Sequence, residues 1–370
     1  MQEILICIGT GGELIKIAPV MRELQKRKIP YFFLNTGQHD LKEMIKQLEV
    51  KNPDKEFNIL KKKEKRGRFQ SLTEALKWGF FDLFLNLRKT IKKVNPKLVI
   101  VHGDTMTTGL TSLVLATLPK IKLVHVEAGI RSHDLLEPYP EEIMRKVTDL
   151  FSNILLAPTE YSTKNIRYKK KVYVTGNTNI DSLIFALNKI SKKKSKEKYL
   201  IAKTHRQENI KSKERLTNFV KILTNTKENI HFILTSNTKK QLERFNLLNE
   251  IKNKRNIKIL PTLSYLDFIK EFRDAAAILT DGGGETEEST YLKKPCLVYR
   301  HKTERQEAEI VGVARRVNSD YKKALKYLEE AFNKNSNYNK TIKNAKSPYG
   351  TGDTSKKIVD ILLKEIRSMK

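Results

Sequence analysis

The chain has 370 residues, enough for two domains with sizeable cores, and its 39% hydrophobic and 31% charged residues are typical of a globular protein. No apolar run approaches the roughly 18 residues of a membrane span, and the amino terminus enters a strand without a basic segment, so we expect neither an integral membrane segment nor a signal peptide. Cys7 and Cys296 lie in apolar runs, which predicts buried thiols in a reducing cytoplasm, without a disulfide or a metal pair.

The formal net charge of +30 comes from 72 lysines and arginines against 42 acidic residues. Lysine-rich runs at 61–66, 169–171 and 192–194 would suit nucleic acid or an anionic membrane. However, basic residues occur throughout the chain, and no aromatic-interleaved RNA-binding motif is present. We therefore expect solvated surface charge and no nucleic-acid partner, with a positive field that attracts anionic ligands.

The first half of the chain alternates strands with helices. Its predicted strands are 4–8, 31–34, 98–101, 121–126 and 153–157, and its predicted helices are 14–26, 72–94, 107–118 and 141–150. A mobile loop is predicted over residues 61–71. This alternation indicates a doubly wound parallel sheet, in which ligands bind beyond the carboxyl ends of the strands.

Polar residues and glycines follow these strands at that edge. Gly9 and Gln38 follow the first two strands, and Lys16 lies in the first turn of the helix after Gly9. Asp104 and Glu127 follow the next two strands. Carboxylates repeated along one edge are not needed for loop solubility, so we interpret Asp104 and Glu127 as parts of a site.

The second half repeats the pattern. Its predicted strands are 172–174, 199–202, 231–235, 257–260, 275–279 and 296–299, and its predicted helices are 214–223, 265–272, 286–292 and 351–366. We therefore predict an α/β protein with two doubly wound, Rossmann-like domains, residues 1–176 and 177–350. Their facing edges should leave a cleft, which is the natural place for a ligand.

Gly282, Gly283 and Gly284 separate the strand 275–279 from the next helix. Glycines let backbone N–H groups approach a ligand, and the helix dipole favours negative charge, so the turn is a candidate anion site. Glu287 and Glu288 at the predicted helix start would suit the hydroxyls of a ribose. A tight turn without a ligand explains a lone Gly-Gly-Gly about equally well.

The chemistry-bearing residues are carboxylates and one histidine. No Cys/His cluster with metal spacing and no G-x-S-x-G motif occurs, so we predict no metal and no cofactor. Asp104, Glu127, Glu141 and His205 together suit proton transfer or carbocation stabilisation. For His205 alone, a structural role at a strand end is equally open.

Eleven short motifs then place the chain near a known family. They are G-T-G-G-E-L-I-K-I-A-P-V, T-G-Q-H, H-G-D-T, H-V-E-A-G-I-R, Y-P-E-E-I-M-R, A-P-T-E, V-T-G-N-T, T-H-R-Q-E-N, L-T-D-G-G-G-E-T-E-E, T-E-R-Q-E and S-P-Y-G-T-G. In this order they resemble the non-hydrolysing UDP-N-acetylglucosamine 2-epimerases over essentially the whole chain. The resemblance implies a GT-B architecture, with residues 351–370 forming a helix that packs back on the first domain.

The resemblance also implies a reaction: inversion of C2 of UDP-GlcNAc to UDP-ManNAc, through elimination of UDP, a bound 2-acetamidoglucal and re-addition. It assigns proton transfer to Asp104, Glu127 and Glu141, and places His205 near the departing phosphate. The substrate-binding residues that we predict are Lys16, Gln38, Arg145, Gly282, Gly283, Gly284, Glu288 and Arg305. A cytoplasmic enzyme and a homodimer are expected.

Several positions depart from the family pattern. Gly11 stands where relatives carry a phosphate-binding arginine, Gly282 where they carry serine, and Met144 where they carry asparagine. Asp40 and Leu41 depart from the polar pair that serves an allosteric ligand, so we do not assume such regulation. The alternatives are epimerisation of a related UDP-2-acetamido sugar, a hydrolysing 2-epimerase, a glycosyltransferase, and a nucleotide-sugar-binding protein without activity.

Overall fold

The computed structural model describes residues 2–57, 72–134, 139–167, 170–193, 195 and 197–369, with no side-chain description over 72–80. The chain divides into two compact units. Unit 1 comprises Met1–Ser182 and Gly352–Lys370, and unit 2 comprises Leu183–Thr351. The loop and lysine run predicted between residues 61 and 71 lie outside the described residues. The domain boundaries at 176 and 350 stay a prediction.

Unit 1 is built on a seven-stranded parallel sheet. Its strands are β1 (Ile4–Ile8), β2 (Tyr31–Asn35), β3 (Lys55–Glu56), β4 (Leu98–His102), β5 (Lys122–Val126), β6 (Ile154–Ala157) and β7 (Lys171–Val174). The strand order is β3-β2-β1-β4-β5-β6-β7. All residues of β1 and β4 are buried, as expected for central parallel strands covered on both faces.

In the described ranges of unit 1, seven helices connect these strands or follow them. They are α1 (Gly11–Lys26), α2 (Lys42–Gln47), α3 (Leu72–Val94), α4 (Met106–Ala116), α5 (Glu141–Phe151), α6 (Glu160–Thr163) and α7 (Thr178–Lys189). The predicted α3 has the observed bounds. Helix α7 was not predicted, and the division between the two units falls within it.

Unit 2 is built on a six-stranded parallel sheet in the order β10-β9-β8-β11-β12-β13. Its strands are β8 (Tyr199–Lys203), β9 (Asn229–Ile233), β10 (Ile257–Leu260), β11 (Ala277–Thr280), β12 (Cys296–Val298) and β13 (Ala314–Arg316). Its helices are α8 (Gln207–Ile210), α9 (Lys213–Asn225), α10 (Ser236–Arg244), α11 (Leu248–Lys252), α12 (Tyr265–Asp274), α13 (Gly283–Leu292), α14 (Gln306–Ile310), α15 (Tyr321–Phe332) and α16 (Asn337–Asn344).

The last helix, α17 (Thr354–Arg367), returns to unit 1 and packs against α1. Asp181 in α7 accepts hydrogen bonds from Ser355 N at 2.8 Å and from Ser355 Oγ at 2.7 Å. Lys171 Nζ lies 2.7 Å from Glu365 Oε2, and Arg27 pairs with Asp360. Unit 1 is therefore closed by a segment from the far end of the sequence.

Two helices begin three residues earlier than predicted, because a glycine pair forms the first turn in each. Helix α1 starts at Gly11 instead of residue 14, since Thr10 and Glu13 form a reciprocal capping box around its first N–H groups. Helix α13 starts at Gly283 instead of residue 286, with Gly282 as its N-cap. Both glycine turns are thus helix starts rather than loops that precede a helix.

Each unit has its own apolar core and contains one cysteine. Cys7 lies in β1 and Cys296 in β12; both are fully buried and neither forms a disulfide. Burial raises the pKa of both thiols to about 12. Within the described ranges, no helix has the length and apolar character to cross a membrane.

Candidate active site

The carboxyl edge of the unit 1 sheet collects two carboxylate–cation pairs. Asp104 and Glu127 follow the adjacent strands β4 and β5, whose paired residues extend to His102 and Val126. The guanidinium of Arg145 donates to the Asp104 carboxylate. Lys16 Nζ donates to Glu127 Oε2 at 2.6 Å, and the side chains of this pair are only 15% and 7% exposed. Asp104 and Glu127 are therefore each held by a separate cation.

Glu127 has a left-handed backbone conformation, with φ at 73°. This conformation costs a non-glycine residue on the order of 1–3 kcal/mol and is concentrated at functional sites. The amides of Glu127 and Ala128 both donate to Leu156 O at 3.1 Å, which holds the turn in place. His102 Nε2 lies 3.2 Å from Glu127 Oε2, the same oxygen that accepts from Lys16. The strained turn thus fixes where the Glu127 side chain points.

Helix α5 supplies a buried charged face to this edge. Glu142, Arg145 and Asp149 follow one another at helical spacing and are all buried. Arg145 Nη1 donates to Glu142 Oε2 at 3.1 Å, so one guanidinium bridges Glu142 and Asp104. Glu142 also accepts from Ser132 N at 3.0 Å. Glu141, which opens the same helix, is partly buried.

Asp149 anchors a second, deeper part of the network. His125 Nδ1 lies 2.7 Å from Asp149 Oδ1, and His125 Nε2 lies 2.8 Å from Gly103 O, directly before Asp104. Arg131 and Gly129 N also donate to the Asp149 carboxylate. Burial raises the pKa of Asp149, but His125 and Arg131 outweigh it, and the pKa lies below its ordinary value. The network joins the turns after β4 and β5 to α5.

Glu13 joins the turn after β1 to the turn after β4 through hydrogen bonds to its carboxylate. Its Oε2 accepts from Gly9 N at 2.9 Å and from Thr10 N at 2.8 Å. Its Oε1 accepts from Thr105 Oγ1 at 2.6 Å and from Thr108 Oγ1 at 3.0 Å. The Gln38 amide carbon lies 3.1 Å from the point where a Cβ on Gly9 would sit, so Gln38 packs over the same turn.

In unit 2, Asp281 organises the carboxyl ends of β8 and β11. It is fully buried and accepts from Thr204 Oγ1 at 2.7 Å, His205 N at 3.0 Å and Arg206 N at 2.9 Å. His205 Nδ1 lies 2.9 Å from Asp281 Oδ1. Burial raises the pKa of Asp281, but His205 and the hydrogen bonds lower it far below its usual range. Asp281 therefore holds the imidazole by its Nδ1 edge, and Nε2 lies on the opposite edge of the ring.

The glycine turn directly follows Asp281 in the sequence, where β11 ends and α13 begins. Gly282 has φ at −86°, a backbone conformation that any residue can adopt, so the backbone does not require glycine at this position. Gly283 packs against the side chains of Glu304 and Arg305, and Arg305 pairs with the buried Glu287. Tyr265 Oη donates to Glu288 Oε1 at 3.2 Å. Burial, followed by the charge of Glu285, raises the pKa of Glu288 well above its ordinary value.

Comparison with known proteins identifies the family. The model of the UDP-N-acetylglucosamine 2-epimerase family matches residues 22–363. A Methanocaldococcus jannaschii protein named UDP-N-acetylglucosamine 2-epimerase is 35% identical over 98% of this chain and 99% of its own. A Neisseria meningitidis protein of the same name is 34% identical over 98% of this chain and 100% of its own. This chain belongs to the UDP-N-acetylglucosamine 2-epimerase family.

Solved structures agree with that membership. The crystal structure of the M. jannaschii UDP-GlcNAc 2-epimerase with UDP-GlcNAc and UDP matches with a TM-score of 0.85 at 33% identity, covering 98% of this chain and 100% of that one. The N. meningitidis UDP-GlcNAc 2-epimerase bound to UDP-GlcNAc also gives 0.85, at 31% identity, covering 98% and 100%. Acinetobacter baumannii MurG, at 12% identity and 0.60, shares the fold. The predicted GT-B fold of this epimerase is thus confirmed.

The predicted site residues of the epimerase fall into two groups. Unit 1 brings together Asp104 with Arg145, and Glu127 with Lys16, while Glu141 and Gln38 lie at the same edge on other elements. Unit 2 places Arg305 against the glycine turn. The cleft between the two edges stays a prediction. In the described part of the chain, no group of His, Cys, Asp or Glu side chains could hold a metal ion.

Sequence reasoning missed the residues that position the predicted ones. Asp281, Asp149 and Glu142 were not singled out, although each carries a readable signal. Asp281 directly follows an apolar strand, and Glu142 and Asp149 lie on the same helical face as Arg145. Glu285 and Lys203 were missed as well, because their pairing joins the end of β8 to the first turn of α13, which are distant in sequence.

Proposed function

We propose that this epimerase interconverts UDP-GlcNAc and UDP-ManNAc by inverting C2 of the sugar. Two relatives at 35% and 34% identity bear the name of this enzyme, and similar structures hold UDP-GlcNAc. The observation that carries the proposal is the pair of carboxylates, Asp104 and Glu127, on adjacent strand ends, each paired with its own cation. Inverting a carbon centre needs proton transfer on two faces, and two separately anchored carboxylates suit that task.

The proposed reaction is an elimination followed by an addition. The C1–O bond breaks, its electron pair leaves with UDP, and the C2 proton passes to a carboxylate, which gives 2-acetamidoglucal. A proton is then returned to the opposite face of C2, and a UDP oxygen adds to C1. Because the C2 proton is weakly acidic, C1–O cleavage leads, and the developing oxocarbenium ion is stabilised by the carboxylates.

In unit 1, Arg145 orients Asp104, and Lys16 orients Glu127, while Glu141 is a third proton-transfer group. The cations are attached to helices α5 and α1, so each carboxylate is held from a separate element. A reacting group held within a fraction of an ångström gains much of the rate advantage of an intramolecular reaction. Gln38 contributes a neutral amide at the same edge.

In unit 2, the N-terminus of α13 binds the diphosphate through the amides of the glycine turn, assisted by Arg305. Asp281 lies beside Nδ1 of His205 and orients the ring, which leaves Nε2 to act at the departing phosphate. Glu288 receives the ribose hydroxyls. Tyr265 donates to Glu288 Oε1, so the ribose hydroxyls either compete with Tyr265 for that oxygen or bind Oε2.

A proton NMR time course in deuterated water tests the proposal, with UDP-GlcNAc as substrate. We expect UDP-ManNAc with deuterium at C2. Release of free ManNAc would instead identify a hydrolysing 2-epimerase. Binding without any turnover at high enzyme concentration would identify a nucleotide-sugar-binding protein.

A related UDP-2-acetamido sugar, such as a diacetamido or uronic relative, is the second candidate substrate. It is favoured by Gly11, which removes the arginine that relatives carry in the first turn. The Met44 methyl lies 2.9 Å from the point where a Cβ on Gly11 would sit, so methionine fills part of that space. Comparing kcat/KM for UDP-GlcNAc with that for such sugars decides between them; clearly better kinetics on UDP-GlcNAc remove the second candidate.

A further inference from the structure

The N-terminus of α13 already holds an anion, the carboxylate of Glu285. A Cβ built on Gly282 would lie 1.7 Å from Glu285 Oε2 and 2.6 Å from its Cδ, so the carboxylate rests on the N-cap glycine. The Glu285 backbone N–H also contributes a hydrogen bond to this carboxylate. Gly282 has no side chain to cap the helix, and the side chain of the third helical residue takes over that function.

Lys203, at the end of β8, is the cation of this arrangement. Its Nζ lies 2.5 Å from Glu285 Oε1, and the Lys203 and Glu285 side chains are 23% and 10% exposed. Burial raises the pKa of Glu285, but Lys203 and His205 outweigh it, and the pKa lies below its ordinary value. Burial lowers the pKa of Lys203, but Glu285 outweighs it and the pKa is raised. Both groups are therefore charged at neutral pH.

The ion pair lies where the proposed function needs the diphosphate. A helix N-terminus and a lysine ammonium are both receptors for phosphate, and here one internal carboxylate occupies both. A diphosphate brought to the same turn would meet the negative charge of Glu285 in a partly buried position, where like charges repel strongly. The carboxylate must leave before a phosphate oxygen can reach these donors.

We propose that Glu285 is an internal stand-in for a phosphate group, which the nucleotide diphosphate displaces when it binds. Lys203 then exchanges the Glu285 carboxylate for a phosphate oxygen and becomes a phosphate-binding residue. Glu285 sets the affinity, because every binding event must separate its ion pair. The proposal rests on the function proposed above, since it assumes that UDP binds at the Gly282–Gly284 turn.

Calorimetric titration with UDP distinguishes the roles of Glu285 and Lys203, because their substitutions should change the Kd for UDP in opposite directions. Glu285→Gln removes the competing charge, and we expect the Kd for UDP to fall about threefold to tenfold. Lys203→Met removes the cation at similar length, and we expect the Kd to rise about tenfold or more. A purely structural ion pair predicts a lower melting temperature for both variants and an unchanged Kd.

The matched control is the pair of Lys97 and Glu3, which has the same N–O separation of 2.5 Å at the amino ends of β4 and β1. Lys97→Met and Glu3→Gln should leave the Kd for UDP unchanged. A Kd for Glu285→Gln equal to or higher than that of the wild type overturns the proposal. Failure of the folded wild type to bind UDP would instead overturn the proposed function.

A crystal structure of the wild-type protein with UDP gives a second test that needs no variant. We expect Lys203 Nζ within hydrogen-bond distance of a phosphate oxygen, and the Glu285 carboxylate away from Gly282. UDP bound with Glu285 still resting on Gly282 would contradict the displacement.

Discussion

Three side chains occupy space that a glycine leaves open, and each lies at a departure from the family pattern. The Glu285 carboxylate rests on Gly282, where relatives carry serine, and the Met44 methyl lies against Gly11, where they carry arginine. Met144, in place of asparagine, has its sulfur 2.3 Å from the point where a Cβ on Gly109 would sit. Each departure is thus one half of a pair. Restoring a side chain at Gly282 or Gly11 alone would require Glu285 or Met44 to move, and restoring asparagine at 144 would leave space beside Gly109.

The sequence showed these departures but not their partners. Gly282 and Glu285 lie three residues apart, yet their contact depends on the helix starting at Gly283, which the sequence reading placed later. Gly109 and Met144 belong to different helices, and only tertiary packing brings them together. Asp104, Glu127 and His205 could be identified because each follows a strand; the residues that hold them could not, because they come from other elements.

Asp104→Asn and Glu127→Gln test the proposed proton transfer directly. Each substitution keeps the size of the side chain and removes its ability to accept a proton, so kcat should fall about 10²–10⁴-fold. The Kd for UDP should stay within about threefold, because the nucleotide turn lies in unit 2. Steady-state kinetics and calorimetry measure the two quantities. Full activity of either variant would remove that residue from the mechanism.

Glu13→Gln should destabilise the protein, because both oxygens of the buried Glu13 carboxylate accept hydrogen bonds and one of them would become an NH2 group. Its partners include two backbone amides and two threonine hydroxyls, and an amide NH2 group would face at least one of them. Loss of a charged hydrogen bond in a buried site costs about 1–3 kcal/mol. Urea unfolding measures the change. Glu43→Gln, at an exposed position in α2, is the control and should change the unfolding free energy little.

At the scale of elements, sheet strands were easier to predict than the starts of helices. Apolar runs identified β1 and β10 with their observed bounds. Strand β1 is buried along its whole length, because a central parallel strand has no polar face, whereas the edge strand β10 exposes Lys258. Strand β13 has the sequence Ala-Arg-Arg and is defined by its pairing with β12. Its sequence therefore contains no apolar pattern from which a strand could be predicted. Helices α7, α15 and α16 were also missed.

Helix α5 is the element whose integrity the unit 1 site depends on most. Asp149→Asn should lower the free energy of unfolding by about 3–5 kcal/mol at neutral pH, because it leaves His125 and Arg131 beside a neutral group in a buried network. Urea unfolding measures this loss. Asp360→Asn is the control, since Asp360 is 66% exposed in its ion pair with Arg27.

The same variant has a predictable dependence on pH. The pKa of Asp149 is lower in the folded protein than in the unfolded chain, so its charge stabilises the fold above the ordinary pKa of 3.8. That stabilisation is lost as the pH falls through the lowered, folded-state value. The difference between the wild type and Asp149→Asn should therefore be constant at neutral pH and shrink in strong acid. A difference that grew on acidification would contradict this assignment.

At the scale of the whole molecule, the alternation of strands and helices correctly predicted two doubly wound units. The predicted cytoplasmic location and homodimer stay predictions, and light scattering tests the dimer. The charge of +30 has consequences that do not depend on the assembly. Self-repulsion among so many cations opposes the compact state, while the same field attracts anions.

Added salt should therefore weaken the binding of UDP and at the same time stabilise the folded protein. Raising NaCl from about 10 mM to about 300 mM shortens the screening length from roughly 30 Å to below 10 Å. We expect weaker UDP binding and a higher melting temperature. Uridine, which carries no phosphate, is the matched control ligand, and its Kd should change little. Equal salt dependence of the Kd for UDP and for uridine would show that the positive field of the protein does not contribute to UDP binding.

Each unit also contains its own reporter of opening. Cys7 and Cys296 are the two cysteines of the chain, one in each central sheet, both fully buried. A thiol reagent can react only when the surrounding unit opens, so its rate at each cysteine measures that unit's opening free energy. With Cys7→Ser and Cys296→Ser variants, each unit is followed separately. We expect UDP to slow labelling of Cys296 more than labelling of Cys7, because the nucleotide turn belongs to the unit that contains Cys296.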